Sequence, residues 1–179
     1  MRSSELFVVP FATAALVLAW SGVAKLRKPG QLVRALASAG LPAGPGGVRL
    51  IASAELAVGT VCLIRPSAAA AVGLGIGYLG FAAFLAFLLV AKPSMGSCGC
   101  AGDRDVPPSW FHVVLDLVAA GSAFGVAATS PGSPGMVVLA APLPMHGISF
   151  VAGVGLLGYL AFLCAAYLPQ ALTSYHGQR

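Results

Sequence analysis

Long apolar stretches alternate with short polar or Pro/Gly-rich segments along the whole chain. A helix needs about 20 residues to cross about 30 Å of hydrocarbon, at about 1.5 Å per residue. Five stretches reach or approach that length, and we place them at about 6–26, 48–65, 68–91, 110–129 and 147–168. The pattern therefore predicts an all-α, polytopic transmembrane helix bundle with five spans, organised as a four-helix core plus one.

The polar segment between the first two spans carries a shorter amphipathic pattern. Leu32, Leu36 and Ala39 recur at helical spacing, whereas Arg34 falls on the opposite side. This spacing predicts a short interfacial helix over about residues 30–40, lying on the membrane surface.

Composition supports a membrane protein and excludes a large water-facing domain. The chain is 58% hydrophobic and 8% charged, with a mean hydropathy of +0.91, whereas soluble domains carry about 25% charged residues. We therefore expect residues 1–179 to form a single membrane domain surrounded by lipid. The formal charge of +5 does not indicate nucleic-acid binding, because the basic residues cluster beside the apolar spans.

The distribution of lysine and arginine predicts the orientation of the spans. With the N-terminus outside, eight basic residues fall inside and two fall outside, which is the bias expected of cytoplasmic segments. The inner set is Lys25, Arg27, Lys28, Arg34, Arg49, Lys92, Arg104 and Arg179, and the outer set is Arg2 and Arg65. We expect a multi-pass protein of the inner (plasma) membrane, with the C-terminus and the segment containing Cys98 in the cytoplasm.

Cys98 and Cys100, separated by one glycine, lie in the polar segment between the third and fourth spans. The pair is a candidate for thiol–disulfide exchange, since closing so small a ring strains the disulfide and eases its reduction. Two unreactive thiols in a turn are one alternative. A soft-metal site is another, but two sulfurs alone leave it incomplete, so we expect no metal. Cys62 and Cys164 lie inside apolar spans and are read as small apolar fillers.

His112 and Asp116 begin the fourth span and share one helical face. An imidazole beside a thiol lowers the thiol pKa and carries its proton, so His112 is a candidate catalytic residue that Asp116 would orient. The alternative is an interfacial histidine at headgroup level beside Trp110.

Glu55 is a carboxylate inside an apolar span, where an ionisable group is costly and usually faces a partner or a cavity. Lys25, at the inner end of the first span, is the best candidate for that partner. We favour a polar clamp between the two helices over a proton relay.

Glycines are frequent in the spans and predict close helix packing inside the bundle, rather than a dedicated dimer face. The positions singled out are Gly73, Gly77, Gly80, Gly121, Gly125, Gly153 and Gly155.

Several motifs carry a resemblance to a known family. In chain order they are Ser21-Gly22-Val-Ala-Lys25-Leu26-Arg-Lys-Pro29, Glu55 with Gly59, Cys98-Gly-Cys-Ala-Gly102, and Trp110-Phe-His112 with Asp116-Leu117. Over about residues 10–125 the chain resembles the MauE/DoxX family, and the MauE branch in particular. Ala101 stands where that branch usually has Phe.

The resemblance implies a role in disulfide formation or in delivering electrons across the membrane. The MauE branch is associated with maturation of methylamine dehydrogenase, whose small subunit is rich in disulfides. Disulfides form outside the cell, whereas the charge distribution places Cys98 and Cys100 inside. Three explanations stay open: electrons pass through the bilayer, the thiols serve a cytoplasmic partner, or the orientation is reversed.

We therefore expect a membrane thiol–disulfide oxidoreductase or a redox-active accessory, and whether the chain is itself an enzyme stays open. Cys98 and Cys100 would exchange electrons with a thioredoxin-like protein. A quinone would suit as the lipid-soluble acceptor, although no residue identifies a quinone site. Two alternatives remain. One is a non-catalytic assembly or maturation factor that holds another membrane or secreted protein. The other is a carrier of a small molecule or metal that uses Glu55, Asp116 and the thiols.

Overall fold

The computed structural model describes residues 5–42, 44–91, 109–129 and 152–160, and every regular element within these ranges is α-helical. The named helices are α1 (Glu5–Arg27), α2 (Gly30–Ser38), α3 (Pro45–Ile64), α4 (Ala68–Ala91) and α5 (Trp110–Thr129). All but α2 are long and apolar enough to cross a membrane. The all-α polytopic bundle is thus confirmed. Residues 152–160 are also helical, but the fifth predicted span, 147–168, extends beyond them and stays a prediction.

Local sequence signals explain where the helices begin and end. At the end of α2, Gly40 adopts a positive φ of 82°. Its N–H and that of Leu41 bond back to the carbonyls of Ala37 and Leu36, which is a Schellman ending. Ser67 begins α4 by accepting a hydrogen bond from the Ala70 N–H at its side-chain oxygen.

The four long helices form a ring in the order α1, α3, α4, α5. Only residues 65–67 separate α3 from α4, so those two helices are antiparallel neighbours. The end of α1, helix α2, the start of α3, the end of α4 and the start of α5 therefore share one end of the bundle. We call this the α2 end.

Helix α2 lies against the start of α3 through its apolar face. Leu32, Ala35 and Ala39 are buried, while Arg34 on the opposite side is exposed. The amphipathic helix predicted over about 30–40 is confirmed, and its apolar face rests on the bundle.

Two glycines bring α1 and α3 into backbone contact. A Cβ added to Gly22 would lie 2.7 Å from the carbonyl oxygen of Ala52. One added to Gly59 would lie 2.7 Å from the carbonyl oxygen of Ala15 and the amide nitrogen of Ala19. Without side chains at these positions the helices approach closely and gain dispersion energy along their length.

The predicted packing glycines are only partly correct. Gly125 does pack, since a Cβ there would meet the Phe7 ring at 3.0 Å, whereas Gly73 has only an ordinary contact with Val58 at 4.0 Å. At five other positions no atom of the described residues lies within 4 Å of an added Cβ: Gly77, Gly80, Gly121, Gly153 and Gly155. On α4, the glycine that packs closely is Gly75, where an added Cβ would meet the Phe124 ring at 2.8 Å.

The outward faces of the long helices are apolar. Leu50 and Val90 are each 74% exposed, and Ile64 is 70% exposed. Such surfaces suit hydrocarbon and not water, so the described helices belong to a multi-pass membrane protein.

Candidate functional site

A buried ion pair joins α1 to α3, as the cost of a lone carboxylate in this region predicts. The Nζ of Lys25 donates to both carboxylate oxygens of Glu55, at 2.6 and 2.8 Å. Each side chain is only 6% exposed. The predicted pairing of Glu55 with Lys25 is confirmed.

Helix geometry explains why Lys25 points into the bundle although it lies near the end of α1. Side chains on a helix lean toward its N-terminus, so this lysine extends back from the α2 end toward the interior. The contacts at Gly22 and Gly59 set the antiparallel register, which places Arg27 level with Arg49. Glu55 is six residues further along α3, or about 9 Å deeper at 1.5 Å per residue.

Two aromatic side chains of α4 complete the surroundings of the pair. The Nζ of Lys25 lies 4.7 Å from the centre of the Phe81 ring, within cation–π distance. Phe81 packs edge-to-face with Tyr78, at 6.0 Å between ring centres.

A side-chain hydrogen bond from Tyr78 connects α4 to α1. The buried tyrosine hydroxyl donates to the carbonyl oxygen of Ala14 at 2.8 Å. Buried polar groups from α1, α3 and α4 (Lys25, Glu55 and Tyr78) are thus connected through the Phe81 ring in the bundle interior.

The geometry of the ion pair is that of a clamp. Two donors of the Lys25 ammonium reach Glu55, and its remaining surface faces Phe81. A buried charge pair needs such additional partners to offset the loss of hydration. The carrier alternative required a polar cavity around Glu55, and the engagement of both its carboxylate oxygens by Lys25 gives that alternative no support.

His112 is held at the start of α5 by Ser109, the residue before the helix. The Ser109 hydroxyl and the Nδ1 of His112 are 2.7 Å apart, and the His112 N–H donates to the Ser109 carbonyl at 3.0 Å. The ring is half-buried, while Trp110 beside it is 58% exposed. Because Nδ1 is engaged by Ser109, a proton transfer through this imidazole would use Nε2.

Asp116 follows one helical turn after His112 and is half-buried. Both residues lie on α5, on the face predicted from their spacing of four.

Cys98 and Cys100 lie outside the described residues, as does Cys164. The segment that contains Cys98 and Cys100 joins the end of α4, at Ala91, to Ser109. Cys62 is buried on α3, and its thiol lies 3.4 Å from the carbonyl oxygen of Ala70. Its burial fits the predicted filler.

Among the described residues, no three His, Cys, Asp or Glu side chains converge in a way that could hold a metal ion. Sequence reasoning missed Phe81, Tyr78 and Ser109. A tyrosine hydroxyl within an apolar span was a usable signal, because a buried hydroxyl needs an acceptor. A serine three residues before a histidine at a helix start was another.

Comparison with known proteins gives one family. The family model described as "Methylamine utilisation protein MauE" matches residues 3–131, which is well over half of the chain and includes α1 to α5. No curated protein and no solved structure matches the chain significantly.

Proposed function

The chain belongs to the MauE family of methylamine utilisation proteins, and from this premise we propose that it exchanges thiols and disulfides at the membrane edge. It would act as an oxidoreductase or as a redox-active accessory in the maturation of another protein. The observation that carries the proposal is the Cys98-Gly99-Cys100 pair, placed between α4 and α5 and followed closely by an oriented histidine.

The exchange balances without a further oxidant if the partner supplies a disulfide. The thiolate of one cysteine attacks a sulfur of that disulfide and forms a mixed disulfide. The second cysteine then attacks the mixed bond, which releases the partner as a dithiol and leaves Cys98 and Cys100 joined. The reverse sequence oxidises a partner dithiol. A thioredoxin-like protein has the chemistry required of this partner.

His112 would act as the general acid and base of this thiol–disulfide exchange. The attacking thiol loses a proton and the leaving thiolate gains one, so a nearby imidazole assists both steps. Ser109 holds Nδ1 and thereby fixes the ring. Asp116, one turn further along α5, would stabilise the imidazolium that forms when Nε2 accepts the proton.

The direction of electron flow depends on the orientation of the bundle. We propose that the α2 end faces the cytoplasm, because the basic residues of the described helices gather there, apart from Arg65. A cytoplasmic pair would serve a cytoplasmic thiol protein, or would pass electrons to the other side through a lipid-soluble acceptor such as a quinone.

Replacement of the thiols separates this proposal from a non-catalytic assembly factor. We expect Cys98→Ser and Cys100→Ser each to abolish exchange and complementation, because exchange needs an attacking and a resolving sulfur. His112→Ala should slow exchange and shift its pH dependence without abolishing it. The Cys62→Ala variant is the matched control, since that thiol is buried on α3.

The readout is complementation of a deletion strain, together with the exchange rate of purified protein against a small-molecule disulfide. Full complementation by the double variant, Cys98→Ser with Cys100→Ser, would refute the redox mechanism and support the non-catalytic assembly role instead.

A further inference from the structure

Four basic side chains lie at the α2 end and have no part in the proposed thiol–disulfide exchange. Arg27 ends α1, Lys28 follows it, Arg34 lies on α2 and Arg49 lies on the first turns of α3. All four are exposed. We call them the basic rim.

The helix register brings the members of the rim close together. Arg27 is level with Arg49 across the antiparallel α1–α3 pair, as the contacts at Gly22 and Gly59 require. On α2, a guanidinium nitrogen of Arg34 lies 3.7 Å from the position of a Cβ on Gly30. This charge therefore folds back toward the start of α2, which is joined to Lys28 through Pro29.

The stretch of sequence that carries the rim is basic by formal charge. Residues 23–54 contain no aspartate or glutamate. In sequence, the segment 92–108 between α4 and α5 contains Lys92 and Arg104 against Asp103 and Asp105, so its formal charge is zero. The rim is thus a local excess of positive charge at the level where membrane-spanning helices leave the hydrocarbon.

A lipid-facing surface continues directly below the rim. Trp20 lies seven residues before Arg27, which is two turns or about 10 Å deeper on nearly the same helical face. The indole is 68% exposed, and Leu16, one turn deeper again, is 40% exposed. A phospholipid whose phosphate is bound at Arg27 would place its acyl chains along Trp20.

We infer that the basic rim binds the phosphate headgroup of an anionic phospholipid, whose acyl chains lie along Trp20 and Leu16. The positive charge of the rim favours an anionic ligand. The exposed apolar surface beneath it favours an anion that also carries acyl chains. An acidic protein would match the charge alone, and free phosphate would make no use of the exposed indole.

The chain's own tryptophan can test this. Trp110→Phe leaves Trp20 as the single tryptophan, because the sequence contains two. Its quenching in vesicles by phosphatidylglycerol dibrominated at mid-chain, relative to phosphatidylcholine with the same chains, gives the preference for the anionic lipid. We expect this ratio to exceed one and to fall in 1 M salt, where the Debye length is about 3 Å.

Substitutions in the rim should lower the ratio. Arg27→Gln should reduce it up to about fivefold, the equivalent of about 1 kcal/mol for one charge near the surface. The triple variant with Arg34→Gln and Arg49→Gln should bring it close to one. Arg65→Gln, an exposed arginine at the opposite end, should leave it unchanged and serves as the matched control.

Arg34→Lys retains the charge and should retain most of the preference, which guards against a variant that merely misfolds. A ratio of one in the unsubstituted rim would overturn the inference, as would an equal loss in Arg65→Gln. Abolition of the preference by millimolar inorganic phosphate would reassign the rim to a free anion. Abolition by polyglutamate would reassign it to an acidic protein.

Discussion

At the scale of single residues, the buried ion pair between Lys25 and Glu55 is where we expect a substitution to affect stability most. Each charge is tolerated inside the bundle because the other lies within 2.8 Å and Phe81 covers the ammonium. Removing one partner leaves the other buried and uncompensated, whereas removing both leaves an apolar contact.

Glu55→Leu and Lys25→Met should each destabilise the protein, by about 3–5 kcal/mol. The double variant Lys25→Met with Glu55→Leu should recover most of that loss, since two apolar side chains then meet. The measurement is the free energy of unfolding in mixed micelles, followed by tryptophan fluorescence as a double-mutant cycle. Arg65→Gln, an exposed charge, is the control. Additive losses in the double variant would show that the two charges act independently.

The pairing of Lys25 with Glu55 was predictable from sequence because a carboxylate within an apolar span requires a partner, and Lys25 was the best-placed base. Phe81 and Tyr78 could not be singled out in the same way. In a helix that is apolar all round, an aromatic residue has no pattern that distinguishes the inner face from the lipid face. Only the tyrosine hydroxyl carries a polar requirement, and its acceptor is a backbone carbonyl that no sequence motif marks.

At the scale of elements, the boundaries of α1 and α3 to α5 followed from hydropathy, because a span must satisfy its own backbone hydrogen bonds in lipid. Which faces of the helices meet did not follow. Gly22 and Gly59 make the close α1–α3 contact, whereas among the described residues the regularly spaced glycines of α4 make at most an ordinary contact, that of Gly73 with Val58. Spacing identifies a face, and only packing decides whether that face is used.

Alanine substitutions should separate these two kinds of glycine. Gly22→Ala and Gly59→Ala place a methyl group 2.7 Å from backbone atoms, so α1 and α3 must separate, at a cost of about 1–3 kcal/mol. Gly80→Ala meets no atom of the described helices within 4 Å and should be neutral or stabilising by up to about 1 kcal/mol, because alanine favours the helix.

Thermal midpoints of the three purified variants in the same detergent provide the check. Equal losses in all three would mean that helix–helix contact at Gly22 and Gly59 is not what limits stability.

At the scale of the whole molecule, orientation decides which compartment the proposed thiol chemistry serves. Single cysteines can be introduced at Ala37 on α2 and at Ala69 at the start of α4. Both are exposed and lie at opposite ends of the bundle. The background replaces the four native cysteines at positions 62, 98, 100 and 164.

In intact cells, a membrane-impermeant maleimide should label Ala69→Cys and spare Ala37→Cys until the cells are lysed. The physical reason is the positive charge of the α2 end, which favours retention in the cytoplasm. Labelling in the opposite order would place the α2 end, and with it the segment of Cys98 and Cys100, outside.

The Lys25–Glu55 pair also bears on the order of synthesis. Glu55 lies about 9 Å below the rim on a short side chain, so it cannot reach the headgroups from an isolated α3. Lys25, two residues from the end of α1, can extend to the interface until its partner arrives. The chain makes α1 first, and α3 then enters a bilayer that already holds the counter-charge. Insertion of α3 should therefore be less efficient when it is expressed alone or beside Lys25→Met, and a glycosylation-site insertion assay would measure the difference.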